Sequence, residues 1–238
     1  MCIFWGYSII NVHAIDLEIV AEDFPPYEYK ENGKVTGFTV ELIEVLLTKT
    51  GYKGKTKILP WARAYQIALT KKNVLIHTVA RKKERENLFK WVGPISPRII
   101  YFYKLKKRTD IQVNTLEDAK NYKIGVVRGQ AVRDLLIENG FEEEKNIFTV
   151  TGDDQNIEKL FLERIELIDN TDFMLRWRLK RLGLDYGKVE KVFVVDDSTD
   201  YYMAFSKKTS DEIVNQFRKA FKTIKQDGII KKLEERYF

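Results

Sequence analysis

A single cysteine, Cys2, stands among 238 residues, so no disulfide can form within the chain. Only His13 and His77 could join that cysteine, too few soft ligands for a structural zinc site. No stretch reaches the ~20 apolar residues that a membrane span needs. There is no heptad array, no repeat at solenoid spacing and no low-complexity linker. What is plentiful is ordinary globular material, 44% hydrophobic and 32% charged. That length holds one large domain or two lobes of about 100 residues each.

Neither sign of charge dominates. The 41 basic residues against 35 acidic ones leave a net +6. The basic clusters, Arg81-Lys82-Lys83, Lys104 to Arg108 and Arg176 to Arg181, are short, separated and mixed with acids. No RNP, KH or zinc-finger signature accompanies them, so they read as solvated surface and no nucleic-acid partner is expected.

Residues 1–14 contain no Lys, Arg, Asp or Glu, and Ile3-Phe4-Trp5 and Ile9-Ile10 are apolar. With Val12-His13-Ala14 at the positions a signal peptidase reads, this start resembles a truncated secretory signal cut after Ala14. A periplasmic or other extracytoplasmic location follows as the expectation.

From Ile15 the chain alternates strand and helix signals. Ile15 to Ala21 has period two, and Asn32-Gly33 marks a hairpin. Thr39 is placed to cap a helix closed by Gly51. Strands are expected near Lys55–Leu59 and Val74–Val79, with a helix face of Trp61, Tyr65, Ala68 and Leu69 between them. Thr115 to Asp118 resembles a capping box. Lys123 to Val127 forms a strand that leads through Arg128-Gly129-Gln130 into a helix ended by Gly140. Strands near 148–151, 165–168, 192–195 and 201–205 alternate with helices near 157–162 and 173–182. Ser210 caps a last long helix, and a short one follows Gly228. Alternation of this kind predicts an α/β fold with parallel-rich sheets covered by helices on both faces.

Signals of catalysis are thin. G-x-S-x-G, P-loop, H-E-x-x-H and dinucleotide motifs are all absent. His77, between Ile76 and Thr78 in a strand, reads as a core histidine. The acidic pairs Glu41/Glu44, Asp153/Asp154 and Asp196/Asp197 read as solvated or capping groups. No catalytic residue, metal or cofactor is expected.

The order of segments is more specific. Phe24-Pro25-Pro26-Tyr27-Glu28-Tyr29 and Asn32 to Leu42 are followed by Glu84-Arg85-Glu86, Val92-Gly93-Pro94, Thr115 to Asp118 and Gly125 to Gly129. Gln226-Asp227-Gly228 and Glu235 to Phe238 close the series. This succession resembles the family 3 extracytoplasmic solute-binding proteins, the polar amino-acid receptors of ABC importers, over nearly the whole chain after Ala14. The resemblance implies a type II periplasmic-binding-protein-like fold, two α/β lobes around a ligand cleft. Residues 15–97 and 201–238 would form the first lobe and 98–200, with the return crossover, the second. The hinges would lie near Ser96–Ile100 and Asp196–Asp200.

The same resemblance assigns roles. Arg85 would clamp a ligand carboxylate with its planar fork. Gly129-Gln130-Ala131 would offer the free N–H groups of a helix start to that carboxylate. Phe24 and Trp61 would supply aromatic walls, and Thr78 and Ala80 would line the pocket, Ala80 standing where serine is usual. The acid for the ligand's ammonium falls near Thr171, so Asp172 is the first choice and Asp169 the second. Arg81-Lys82-Lys83 departs from the family's usual Thr-Pro, which leaves room for a ligand with an extra acid or without an amine. The function implied is capture of a small carboxylate-bearing solute, an amino acid or analogue, by a monomer that delivers it to a membrane permease. A sensory domain on the same scaffold is the first alternative, and a dehydratase or lyase the second.

Overall fold

A computed structural model of the chain describes residues 16–128 and 130–237. The signal-like segment, Cys2 and Gly129 lie outside the described residues. The chain opens with β1 (Asp16–Ala21), the hairpin β2 (Tyr29–Glu31) and β3 (Lys34–Thr36), then α1 (Phe38–Thr50), β4 (Lys53–Ile58), α2 (Trp61–Thr70) and β5 (Val74–Ala80). A long strand, β6 (Phe89–Leu105), leads into β7 (Ile124–Val127), α3 (Ala131–Glu138), β8 (Ile147–Val150), α4 (Asp153–Phe161), β9 (Leu167–Thr171) and α5 (Asp172–Arg181). A second long strand, β10 (Val189–Ser206), returns the chain to α6 (Asp211–Gln226) and α7 (Ile229–Glu234).

The strand order β4-β1-β5-β10-β6-β9-β7-β8 forms one sheet in two halves. In the first half β1 runs parallel to β4 and β5; in the second β7 runs parallel to β8 and β9. The antiparallel pair β6 and β10 belongs to both halves. Each half carries helices on both faces and two separate apolar clusters, which makes two three-layered α/β lobes. The β6–β10 ladder is irregular where it crosses between lobes: Asp196 pairs with Ile100, and the next pair is Thr199 with Arg98.

Local chemistry accounts for most of the elements. Asn32 and Gly33 both have positive φ, 50° and 78°, as a type I′ hairpin turn requires. The box at Thr115 forms reciprocally: Asp118 N–H donates to Thr115 Oγ1 at 3.2 Å, and Thr115 N–H to Asp118 Oδ2 at 2.8 Å. Ser210 caps α6, whose buried stripe is Ile213, Val214, Phe217, Phe221 and Ile224. β4 places Lys53, Lys55 and Lys57 on its exposed side, charges that discourage pairing at this sheet edge.

Two expectations change. Thr39 lies inside α1 and does not cap it. Gly37 takes that position at φ 126°, where any Cβ would stand 2.3 Å from the Tyr27 carbonyl oxygen. The strands expected near 192–195 and 201–205 are one strand, because β10 stays paired with β6 past the crossing.

Candidate functional site

The parallel strands β1 and β5 end at the same edge of the first lobe, and their following residues face the second lobe. Between the lobes lies a cavity of about 140 Å³. Its first-lobe and crossing walls come from Phe24, Arg98, Ile100 and Tyr201. The second lobe adds the start of α3, Gln130 to Val132, with Asp153, Met174 and the β9 residues Asp169, Asn170 and Thr171. Phe24 stacks on Tyr27 with ring centres 5.5 Å apart and meets Tyr201 edge-on at 5.8 Å.

The charges of this cavity are unequally served. Asp153 is held by Arg178 at 3.0 Å and accepts from the Asn170 amide at 3.3 Å. Arg98 donates to Asp196 at 2.5 Å. Asp169 is 6% exposed, and no side chain among the described residues donates to it or pairs with it. Burial, and then the neighbouring Asp153, push its carboxyl up to about 7; a hydrogen bond from its own backbone N–H, and then Arg98, pull the other way. Burial likewise raises the Tyr201 phenol to about 12.

Beside the cavity the first lobe holds a buried polar knot around Glu28, whose Oε1 has no partner among the described residues. Glu28 Oε2 accepts from Thr39 and Thr78, each at 2.6 Å, and lies 3.2 Å from His77 Nδ1. Thr78 sits at φ 57° beside a register shift between β5 and β10. That bulge turns its hydroxyl onto Glu28. His77 is buried in this knot, with Thr56 near its other ring nitrogen.

Of the residues singled out from the sequence, Phe24, Gln130, Ala131 and Asp169 share the cavity wall. Arg85 and Trp61 sit together outside that wall. The Arg85 guanidinium lies 5.5 Å from the Trp61 ring and 5.4 Å from Tyr65, and reaches the Ala80 carbonyl at 3.4 Å. Glu22 is close to Arg85; burial and then Glu28 raise its carboxyl to about 7 while Arg85 lowers it. Thr78 belongs to the Glu28 knot, and Ala80 pairs with Tyr201 at the end of β5. Asp172 faces elsewhere: it accepts from Tyr103, Tyr186 and Arg176 and pairs with Lys191. Despite its partial burial, those partners keep its carboxyl below the usual range.

Arg98 and Tyr201 are cavity residues that the sequence did not single out, and Asp153, read from the sequence as a solvated or capping acid, is buried in the wall against Arg178. For Arg98 the available signal was a lone cation inside the apolar run Ile95 to Tyr103 at the expected crossing. For Asp153 it was a helix-start acid followed by a second one.

Two lobes, a pair of crossing strands and a charged cleft between them define the architecture of a two-lobe solute-binding protein. Residues 18–238 match the family model for bacterial extracellular solute-binding proteins, family 3, and the chain belongs to that family. It is 26% identical over 223 residues to the probable amino-acid-binding protein YxeM of Bacillus subtilis, covering 90% of this chain and 80% of that protein. Against the arginine-binding extracellular protein ArtP of the same organism it is 23% identical over 233 residues, covering 91% and 83%. Among solved structures, an ancestral cationic amino acid solute-binding protein superposes with a TM-score of 0.75 at 19% identity, over 94% of this chain and 95% of that one. No helix among the described residues is long and apolar enough to cross a membrane.

Proposed function

We propose that the chain is an extracytoplasmic receptor for a small carboxylate-bearing solute, an amino acid or close analogue, which it hands unchanged to an ABC importer. The observation that carries this reading is Asp169, a buried carboxylate on the cleft wall without a cation of its own. A buried charge is costly until something pairs with it, and a solute ammonium is a fitting partner. The amino-acid names of the curated relatives support the same class of solute.

In this reading residues 15–97 and 201–238 move against 98–200 about the crossings at 96–100 and 196–200. Phe24 stacks on the solute, and the segment Gly129-Gln130-Ala131 offers helix-start N–H groups to its carboxylate. Arg85 and Trp61 approach from the first lobe on closure. Thr78 and Ala80 shape the wall from behind, Asp169 takes the ammonium, and Asp172 anchors α5. Contacts from both lobes favour the closed state, and the monomer in that state is what the permease recognises.

A thermal-shift screen of the twenty amino acids, polyamines and small mono- and dicarboxylates tests the reading. A solute at 100 times its Kd stabilises by about 2.7 kcal/mol, a shift of roughly 5–10 °C at this size. One amino-acid-like compound should give that shift, and Asp169→Asn should abolish it. Shifts with polyamines alone, or with no compound, would contradict the proposal.

A further inference from the structure

Arg98 is the cation in the cavity wall. It lies on β6 where the strand crosses between lobes and is 8% exposed. Its Nη1 reaches one oxygen of Asp196 on β10, and the Tyr201 hydroxyl lies beside it. A guanidinium carries five N–H donors in one rigid plane. One carboxylate oxygen and one phenol leave most of them without an acceptor among the described residues. They border a cavity that also holds Asp169, a carboxylate with no side-chain partner among the described residues. Arg98 is near enough for its charge to be felt at Asp169, yet no hydrogen bond or ion pair joins the two. The two groups together suit a solute that carries both an anion and a cation.

We propose that Arg98 is a ligand-binding residue of the cleft, sharing the carboxylate of a dipolar solute with the start of α3 while Asp169 receives its cation. The inference rests on the receptor function proposed above and adds Arg98 to its carboxylate site. Asp196 takes one edge of the fork and leaves the other to the solute. Asp196 is fixed independently of Arg98, since Ser198 donates to its other oxygen through N–H at 3.0 Å and through Oγ at 2.6 Å. It keeps its place when the solute engages the remaining face of the fork. The contact also falls where the β6–β10 register skips, so the solute grips the segment whose dihedrals must change when the lobes move.

The test is calorimetric titration of the full chain with the best-binding amino acid and with its carboxamide, in wild type, Arg98→Gln and Arg98→Lys. Wild type should prefer the carboxylate by about 100-fold, as a charge-assisted pair in a closed cleft implies. In Arg98→Gln that preference should fall at least about tenfold, the remainder being what the start of α3 and Arg85 supply. Arg98→Lys keeps the charge and loses the fork, and should retain no more than about a tenth of the preference. Thermal unfolding of each empty variant reports whether it folds, and Arg98→Lys decides alone if Arg98→Gln does not. Full preference surviving in the folded variants would remove Arg98 from the site and leave the receptor standing. A wild-type chain that binds no dipolar solute would overturn the proposed function and this inference together.

Discussion

Where α5 crosses toward the first lobe, the contact is apolar and aromatic; where α3 faces Arg81-Lys82-Lys83, it is open and charged. At the first rim Phe173 meets Tyr27 at 5.0 Å and Phe38 at 5.5 Å, and Trp177 meets Tyr29 at 5.4 Å. Phe173, Met174 and Trp177 are buried there within the first lobe's own apolar cluster. The opposite side of the same helix, Leu175 and Leu179, packs into the second lobe. A helix apolar on two sides is one with a neighbour on each. At the second rim a groove of about 510 Å³ separates Lys82, Lys83 and Glu84 from Asp134 and Glu138. Among the described residues no ion pair spans it; Arg81 pairs with Glu86 and Arg133 with Asp134, each within one lobe. Apolar burial holds surfaces together at contact and fades once they part. Charges act across a gap, within a Debye length of about 8 Å at physiological salt. The aromatic rim therefore supplies holding energy, and the charged rim supplies attraction while the groove is still open.

Truncating the aromatic rim should have the largest effect. Trp177→Ala should lower the unfolding free energy by about 3–5 kcal/mol, as for a buried core aromatic. Leu175→Ala, facing the helix's own lobe, should cost about 2–5 kcal/mol. If denaturant titration finds the leucine costly and the tryptophan nearly free, the rim is not closed in solution and the contrast collapses.

The next effect is pH-dependent and lies at the cleft floor. Asp169, raised to about 7, binds its proton more tightly folded than unfolded. Its contribution favours the empty fold at low pH and is lost as pH rises from about 4 to 7, at about 1.4 kcal/mol per unit. Glu22 acts in the same direction over the same window. Asp169→Asn should flatten only the Asp169 share of this slope, measured by chemical unfolding from pH 4 to 8. Solute binding should show the reverse trend, because the ammonium needs the carboxylate ionised. Affinity should fall as pH drops below about 7, with a proton released on binding.

The charged rim should give the smallest effect. Lys82→Glu with Lys83→Glu should slow solute-driven closure less than tenfold, and the difference should shrink in high salt, as expected for exposed charges. Stopped-flow fluorescence with and without 0.5 M salt reads this directly. A larger, salt-insensitive loss would mean that these lysines touch the solute.

The features that could be read in advance were those written in local chemistry. Asn32-Gly33, the Thr115–Asp118 box and the Ser210 cap each need only neighbours in sequence, and each formed. What escaped depends on partners far along the chain. Pro94 and Pro97 disguise β6 as a loop, yet β6 persists because β10 pairs with it on both sides of the crossing. All five residues of β9 are buried, so a period-two pattern could not say which face meets the cleft. Asp169 faces the cavity, whereas Asp172, three residues on, starts a helix and meets Tyr103 and Tyr186. Arg98 took its meaning from Asp196, almost a hundred residues away.

The most direct measurement is the distance between spin labels at Lys83→Cys and Glu138→Cys, across the charged groove, in a chain carrying Cys2→Ser. The account predicts a broad distribution without solute that shortens and narrows when a dipolar solute binds. A solute that binds with calorimetrically measured affinity and leaves that distribution unchanged would contradict closure of the cleft around its ligand.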